Sequence, residues 1–345
     1  MSRKVRIASI CMAPDYEEEP EAILREVEKA AAAGADLILT PEIWSGQIAE
    51  PEDDGFRAPV LERAAAIAVK YHTYVVVCME RYLSETEEEQ IRKADEQGIW
   101  QKAQRLKHNS SFLLDRQGRQ VYIYDKIYPY PPEFKDAKGD VCSMAELMEA
   151  SVLEEPNVPG TKVGVYDCDF GRVGFAICFD MNFPELWRQM AAQDVELVAW
   201  SSAFSGGRNA AFRAGTNHYY VVSCTSVGRG DCRVADINGD QLLVQYPREG
   251  EVANVAKVTL DLDRTIFHKN FNEAVIERIE REYPGRVQVD RSLYAEEEWI
   301  ILSTEDEDIT VGELCEVYGL LPLRRFKTTG MAAYVDELRG MIPWN

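Results

Sequence analysis

The order of apolar segments predicts an α/β protein, a sheet with helices covering it. Three observations carry that reading. The first hundred residues alternate short apolar runs with stretches of helical period, in the order β-α-β-α-β. The composition is that of a soluble globular chain, 46% apolar and 28% charged, which excludes collagen-like, low-complexity and wholly disordered chains. The length, 345 residues, suits two average domains or one large α/β domain with a tail.

Val5 to Cys11 reads as the first strand. Pro20 to Ala33 reads as a helix, because Ile23, Val27 and Ala30 fall on one face and Gly34 follows as a stop. Asp36 to Thr40 is a short buried strand that runs into Pro41-Glu42. A second helix, Pro59 to Tyr71, leads to the buried strand Tyr74 to Met79. Ser84 to Gln97 is dominated by Glu, Gln, Arg and Lys and reads as a solvated loop or surface helix. Ser110 to Asp115 and Val121 to Tyr124 flank Arg116-Gln-Gly-Arg119 as a hairpin. Cys142 to Glu155 reads as an inserted helical or irregular stretch. Lys162 to Asp167 and Arg172 to Cys178 then read as paired strands, followed by a helix from Pro184 to about Gln193 and the strand Val195 to Trp200. A helix near Asn209 to Tyr219 leads into the strand Tyr220 to Ser226; Asp236 to Asp240 is a hairpin turn, and Val252 to Leu262 is a late strand.

This places the main domain in residues 1–285 and a C-terminal extension in residues 286–345. The acidic runs Glu296 to Glu298 and Glu305 to Asp308 are placed to bound a linker. Thr310-x-x-Glu313 forms a capping box for a short helix that stops at Gly319, and Met331 to Arg339 forms another helix. The extension is too small to hold a core alone, so it is expected to pack on the body or on a neighbouring subunit.

With 59 acidic against 38 basic residues, the formal net charge is −21. Such a chain repels phosphate backbones and anionic lipid surfaces, so neither nucleic acid nor a membrane is an expected partner. No apolar run approaches a membrane span, and the N-terminal stretch lacks the continuous apolar region of a signal peptide. The eight cysteines form no CxxC pair, and several sit in strand-like apolar runs, as reduced core thiols do. A cytoplasmic location is expected. There is no HExxH and no Cys/His cluster, so no metal or organic cofactor is expected. The four histidines, His72, His108, His218 and His268, carry no local signature of a cysteine–histidine nucleophile.

Three polar residues end apolar strands. Glu42 follows Leu37-Ile-Leu-Thr-Pro41, Lys126 follows Val121-Tyr-Ile-Tyr-Asp125, and Cys178 follows Val173-Gly-Phe-Ala-Ile177. The carboxyl ends of strands are where open sheets form sites, because a rigidly held strand end still reaches a crevice. Taken singly each has an ordinary structural reading: a helix-start acid, an exposed lysine, a buried thiol. Cys178 differs in the residues that come after it. The run to Pro184-Glu185 goes from strand to tight turn to helix start, which sets a thiol beside backbone N–H groups. A free thiol is only about 3% thiolate at pH 7, and a neighbouring cation raises that fraction. Lys126 is the candidate cation and Glu42 the candidate base.

The stretches Ala33-Gly-Ala-Asp-Leu-Ile-Leu-Thr-Pro-Glu42, Tyr124-Asp-Lys126-Ile and Ile177-Cys-Phe-Asp-Met-Asn-Phe-Pro-Glu185 resemble, in order and separation, the three motifs of the nitrilase (carbon–nitrogen hydrolase) superfamily. The resemblance runs from Val5 to about Leu262. It implies a four-layer αββα sandwich, a catalytic set of Glu42, Lys126 and Cys178, and a second glutamate at Glu133. It also implies a homodimer or higher homo-oligomer. The implied chemistry is hydrolysis of a small-molecule amide through a cysteine thioester, with the backbone N–H of Phe179 and Lys126 facing the oxyanion. Cys178-Phe-Asp180 stands where true nitrilases usually carry Cys-Trp-Glu, which tilts the expectation toward amides or N-carbamoyl compounds over nitriles. Asn182 stands where many members have an arginine, which argues against a carboxylated carbamoyl substrate. A catalytically inactive scaffold is the alternative from a different class. Tyr128, Tyr130, Phe134, Phe179, Phe204 and Trp44 are candidate pocket aromatics, and Arg208 a candidate for an anionic substrate end.

Overall fold

Strand β1 (Lys4–Met12) carries apolar side chains on both faces. Val5, Ile7 and Cys11 join one core cluster, Ala8, Ile10 and Met12 another. Side chains alternate across a strand, so a strand apolar on both faces has to lie between two apolar layers. A computed structural model describes residues 3–12, 20–96, 98, 100, 101, 103–130, 157–226, 231–246, 252–306 and 308–341, and in it that condition is met by two sheets packed face to face.

The first sheet runs β14 (Ala253–Asp261), β1, β2 (Leu37–Leu39), β5 (Tyr74–Tyr82), with β6 (Lys107–Leu114) and β7 (Gln120–Asp125) beyond β5 and the short β3 (Ile48–Glu52) and β4 (Gly55–Arg57) at its edge. β1, β2 and β5 are parallel; β14, β6 and β7 are antiparallel to their neighbours. The second sheet runs β13 (Gln241–Gln245), β12 (Cys232–Ala235), β11 (Tyr220–Thr225), β10 (Leu197–Ser202), β9 (Gly171–Ile177), β8 (Gly164–Cys168), with β9, β10 and β11 parallel. Leu37, Leu39 and Val76 of the first sheet share a core with Phe175, Ile177 and Val222 of the second. Helices α1 (Pro20–Ala32) and α2 (Pro59–Tyr71) cover the outside of the first sheet through Ile23, Val27, Leu61 and Ala64. Helices α4 (Pro184–Ala192) and α5 (Asn209–Asn217) cover the second through Leu186, Trp187, Met190 and Ala214. The layers are therefore α, β, β, α, the sandwich that the motifs imply.

Helix α3 (Glu85–Ala94) is the charged run. A Ser84–Glu87 capping box starts it and none of its side chains is buried. The stretch Cys142 to Glu155 lies outside the described residues. Cys11 of β1 and Cys232 of β12 are paired as a disulfide across the inter-sheet core, with Cα atoms 5.9 Å apart. That departs from the expectation of reduced core thiols. Cys78, Cys168, Cys178, Cys224 and Cys315 are free.

The C-terminal part departs furthest from the sequence reading. No linker lies between the two acidic runs; β17 (Trp299–Thr304) fills that space as the central strand of a third, antiparallel sheet, between β15 (Thr265–His268) and β16 (Val287–Asp290). β15 and β17 are hydrogen-bonded neighbours, so residues on both sides of position 285 share one sheet. With α6 (Lys269–Glu282) and α7 (Val311–Tyr318) it encloses Phe267, Ile276, Ile279, Ile300, Leu302, Val311 and Leu314. The Thr310–Glu313 capping box and the left-handed Gly319 stop are as expected. A helical run follows, from α8 (Leu323–Arg325) into α9 (Met331–Gly340), whose Met331, Tyr334, Val335 and Leu338 are exposed at i, i+3, i+4 and i+7.

Candidate active site

Glu42 sits just past the end of β2, and the chain there is pinned from both sheets. Thr40 N and Oγ1 both donate to Val76 O on the neighbouring strand (3.1 and 3.0 Å). Across the sandwich, Ser201 Oγ and Cys224 Sγ donate to Thr40 O (2.7 and 2.9 Å), and Ser226 Oγ donates to Glu42 O (3.2 Å). The carboxylate is thereby fixed 4% exposed in the seam between the sheets.

Lys126 leaves the end of β7 in the same seam, 2% exposed. Its N–H donates to Asn109 O (2.8 Å), and its carbonyl accepts from Gly160 N (2.8 Å). A side chain at position 160 would collide with the Asp125 carbonyl, so glycine there lets the 157–160 segment lie against the strand end. Behind Lys126, Arg81 grips the Asp125 carboxylate with two bonds (3.0 and 2.9 Å) and Ser110 Oγ adds a third (2.6 Å). Burial pushes the Asp125 carboxyl up, but Arg81 and His108 outweigh it and hold the group below the usual range. Lys126 Nζ donates to Glu42 Oε1 (3.1 Å), and Asn109 Nδ2 donates to the same oxygen (2.7 Å). Oε2 is buried and accepts no hydrogen bond from the described residues.

Cys178 ends β9 and opens a single 3₁₀ turn, Cys178–Asn182, before Pro184 starts α4. Its φ of +46° puts a non-glycine residue in the left-handed region, a strained backbone typical of nucleophile turns. Trp200 Nε1 donates to Cys178 O (3.2 Å). A trans peptide sets its N–H opposite its carbonyl, so this bond turns the Phe179 N–H away from Trp200. The thiol is pushed well up, first by burial and then by the Glu42 carboxylate, while Lys126 and the Ala203 N–H pull it down by less. Lys126 therefore acts on the thiol in the expected direction but is outweighed by burial and by Glu42. The resting group is a neutral thiol that needs a base.

Glu42, Lys126 and Cys178 are thus brought together from three strand ends and two sheets. Glu133 and Phe134 lie outside the described residues. Tyr128 stacks on Phe183 with ring centres 3.6 Å apart; Phe179 meets Phe183 and Tyr130 edge-on at 5.5 and 5.2 Å. Phe204 packs edge-on against Trp200 (5.4 Å), and the exposed Asn182 donates to Phe179 O (3.4 Å). Trp44 is not a pocket residue. It is buried in the outer core under α1 and α2, with Nε1 donating to Thr40 Oγ1 (2.9 Å). Arg208 is exposed at the start of α5. Sequence reasoning missed Asn109 and Asp180 as polar parts of the site. Neither ends an apolar strand, and only the β6–β7 register and the turn after Cys178 reveal where they point. Among the described residues no group of three or more His, Cys, Asp or Glu is placed to hold a metal ion.

The four-layer order is that of the nitrilase superfamily. Nit3 from Saccharomyces cerevisiae, a member of branch 10 of that superfamily, superposes with a TM-score of 0.53 at 18% identity, covering 81% of this chain and 95% of its own. An amidase from Nesterenkonia sp. superposes with a TM-score of 0.51 at 20% identity, covering 81% and 96%. In one variant of the latter, the acetamide moiety of fluoroacetamide is added covalently to the active-site cysteine. By sequence the chain is similar to the deaminated glutathione amidases of Yersinia enterocolitica (24% identical over 240 residues, 65% of this chain and 73% of that one) and Homo sapiens (25% over 234 residues, 65% of each). The chain belongs to the carbon–nitrogen hydrolase family, whose pattern it matches over residues 5–269. It is a hydrolase of carbon–nitrogen bonds other than peptide bonds.

Proposed function

We propose that the protein hydrolyses a small-molecule amide through a thioester on Cys178. Glu42 takes the thiol proton as sulfur attacks the carbonyl carbon, then delivers it to the leaving nitrogen as the C–N bond breaks. Lys126 and the Phe179 N–H stabilise the tetrahedral oxyanion. Water activated by Glu42 then cleaves the thioester to the acid and the free thiol. Glu133 orients Lys126 or the substrate amide, as the family resemblance implies, and Phe179, Asn182, Tyr128, Tyr130 and Phe204 form the substrate side of the site. The steps call for no metal or organic cofactor.

One observation carries this reading. Lys126 and Asn109 occupy one oxygen of Glu42, while the carboxylate faces a thiol that burial and Glu42 itself keep protonated. That is the arrangement a general base needs before attack. Ammonia release across a panel of short amides, carbamoyl amino acids and nitriles tests it. Amides are expected to react and Cys178→Ala to abolish the signal; turnover of nitriles alone, or turnover surviving in Cys178→Ala, overturns it. The same reading takes the protein as cytoplasmic and as a homodimer or larger, with the exposed apolar face of α9 covered by another copy. A monomer by light scattering would remove the oligomer.

A further inference from the structure

We propose that Asp180 is a positioning residue, whose single carboxylate ties the nucleophile turn to the lysine-bearing segment of the opposite sheet and so sets Cys178 against Lys126. The proposal rests on the catalytic reading above. Asp180 is fully buried, two residues after Cys178. Its Oδ2 accepts from Ile177 N (2.9 Å), the residue before the nucleophile, and from Tyr124 OH (2.7 Å), two residues before Lys126. Its Oδ1 accepts from Tyr128 N (2.9 Å), two residues after Lys126. The lysine is therefore bracketed on both sides by bonds to one side chain of the second sheet. The Asp180 carbonyl is held as well, by Trp187 Nε1 of α4 (3.0 Å).

All three side-chain bonds come from neutral donors. Taking a carboxylate out of water costs several kcal/mol even when it is hydrogen-bonded, and burial pushes this one up to about 6 against the pull of its donors and Lys126. An amide or hydroxyl could cap the same turn without that cost. What they cannot do is accept from three donors on two sheets while carrying a negative charge near Lys126. The strained φ at Cys178 needs such a restraint, since a left-handed non-glycine residue persists only where its surroundings hold it.

Asp180→Asn tests the link. The amide keeps the volume and an acceptor for Ile177 and Tyr124, but turns an NH₂ group toward the Tyr128 N–H. The pH profile of Cys178 alkylation by iodoacetamide is expected to move to higher pH, because Lys126 no longer sits where it lowers the thiol. For ammonia release from butyramide, kcat is expected to fall about 10–100-fold with KM within about threefold, the scale of a misplacement near 1 Å. A role in stability alone would lower the melting temperature and leave the alkylation profile and kcat of the folded enzyme unchanged, and that result overturns the proposal. If butyramide is not turned over, the alkylation profile decides. If Asp180→Asn does not fold, Tyr124→Phe removes one of the three donors; a kcat fall and profile shift of the same sign but smaller are expected, and no change overturns the proposal. Lys126→Ala separates the two ideas. Full turnover in that variant sinks the catalytic reading, whereas its loss together with unchanged Asp180→Asn sinks only the positioning role.

Discussion

Strands β9 and β17 are both interior strands of their sheets, yet they are attached to their surroundings differently. β9 lies in the middle of the sandwich, where Phe175 and Ile177 face the inter-sheet core and Ala176 faces the α4 side; these contacts are apolar. β17 presents Ile300 and Leu302 to the small C-terminal core, and the seam between its sheet and the sandwich mixes apolar with polar contacts: Ile266, Ile301 and Leu323 join the inter-sheet core. Its polar part is the pair of bonds that Thr304 Oγ1 and Val311 N donate to Asp263 (2.8 and 2.9 Å) and the bond that Lys327 Nζ donates to His218 Nε2 (2.7 Å). Apolar packing carries no titrating group, whereas a buried contact of an ionisable side chain is strong only in one protonation state. The contacts of β9 thus hold in any protonation state, whereas part of the attachment of the C-terminal sheet depends on which groups carry a proton.

The largest expected effect separates the two regions directly. Phe175 is 0% exposed and stacks on Tyr122 (5.4 Å), so Phe175→Ala is expected to cost about 3–5 kcal/mol of global stability in denaturant unfolding. Leu302→Ala, in the C-terminal core, is expected to cost about 2–5 kcal/mol by the same cavity argument. That loss should appear as faster hydrogen exchange across residues 265–320, while the amides of β2 and β9 stay protected. Equal deprotection of β9 and β17 in Leu302→Ala would show one cooperative unit and break the distinction.

The same contrast explains what could be read from the sequence. The sandwich was legible because strands buried on both faces are continuous apolar runs, and because proline and glycine mark its helix ends, as at Pro59, Gly34 and Pro184. The three proposed catalytic residues were legible because each directly follows such a run. Asn109 and Asp180 were not, since their roles depend on which strand faces which and no local pattern encodes that. β15, β16 and β17 were missed because each is only four to six residues long and set among charged residues, β17 between two acidic runs. Strands that short are outvoted by the charge around them when only local pattern is read. Burial was the missing signal for the thiol as well. A cation beside Cys178 suggested an activated thiolate, but how far the low-dielectric seam opposes ionisation is set by the packed structure alone.

His218 offers the finest test of the polar contacts in that seam. It caps α5 in the left-handed region (φ +59°), with Nδ1 donating to Ile237 O (3.2 Å) and Nε2 accepting from Lys327, and with the Trp299 ring edge-on at 5.1 Å. Burial, then the charges of Lys327 and Arg324, push its imidazolium down to about 3. The folded state therefore favours the neutral ring, whereas the unfolded chain protonates near pH 6.5. The stability this group contributes is complete above pH 6.5 and is lost as pH falls through the window toward 3; at pH 5 the loss is about 2 kcal/mol. His218→Asn keeps a residue that tolerates the left-handed cap and removes the titration. Its melting temperature should fall less than that of the parent between pH 6.5 and 5, with the difference confined to the unfolding step of the C-terminal sheet. Lys327→Met should have the same sign and a smaller size, because it removes only one of the causes that hold the ring neutral. If His218→Asn follows the parent's acid limb, the seam is not what acid loosens, and the carboxylates of the sandwich carry the pH response.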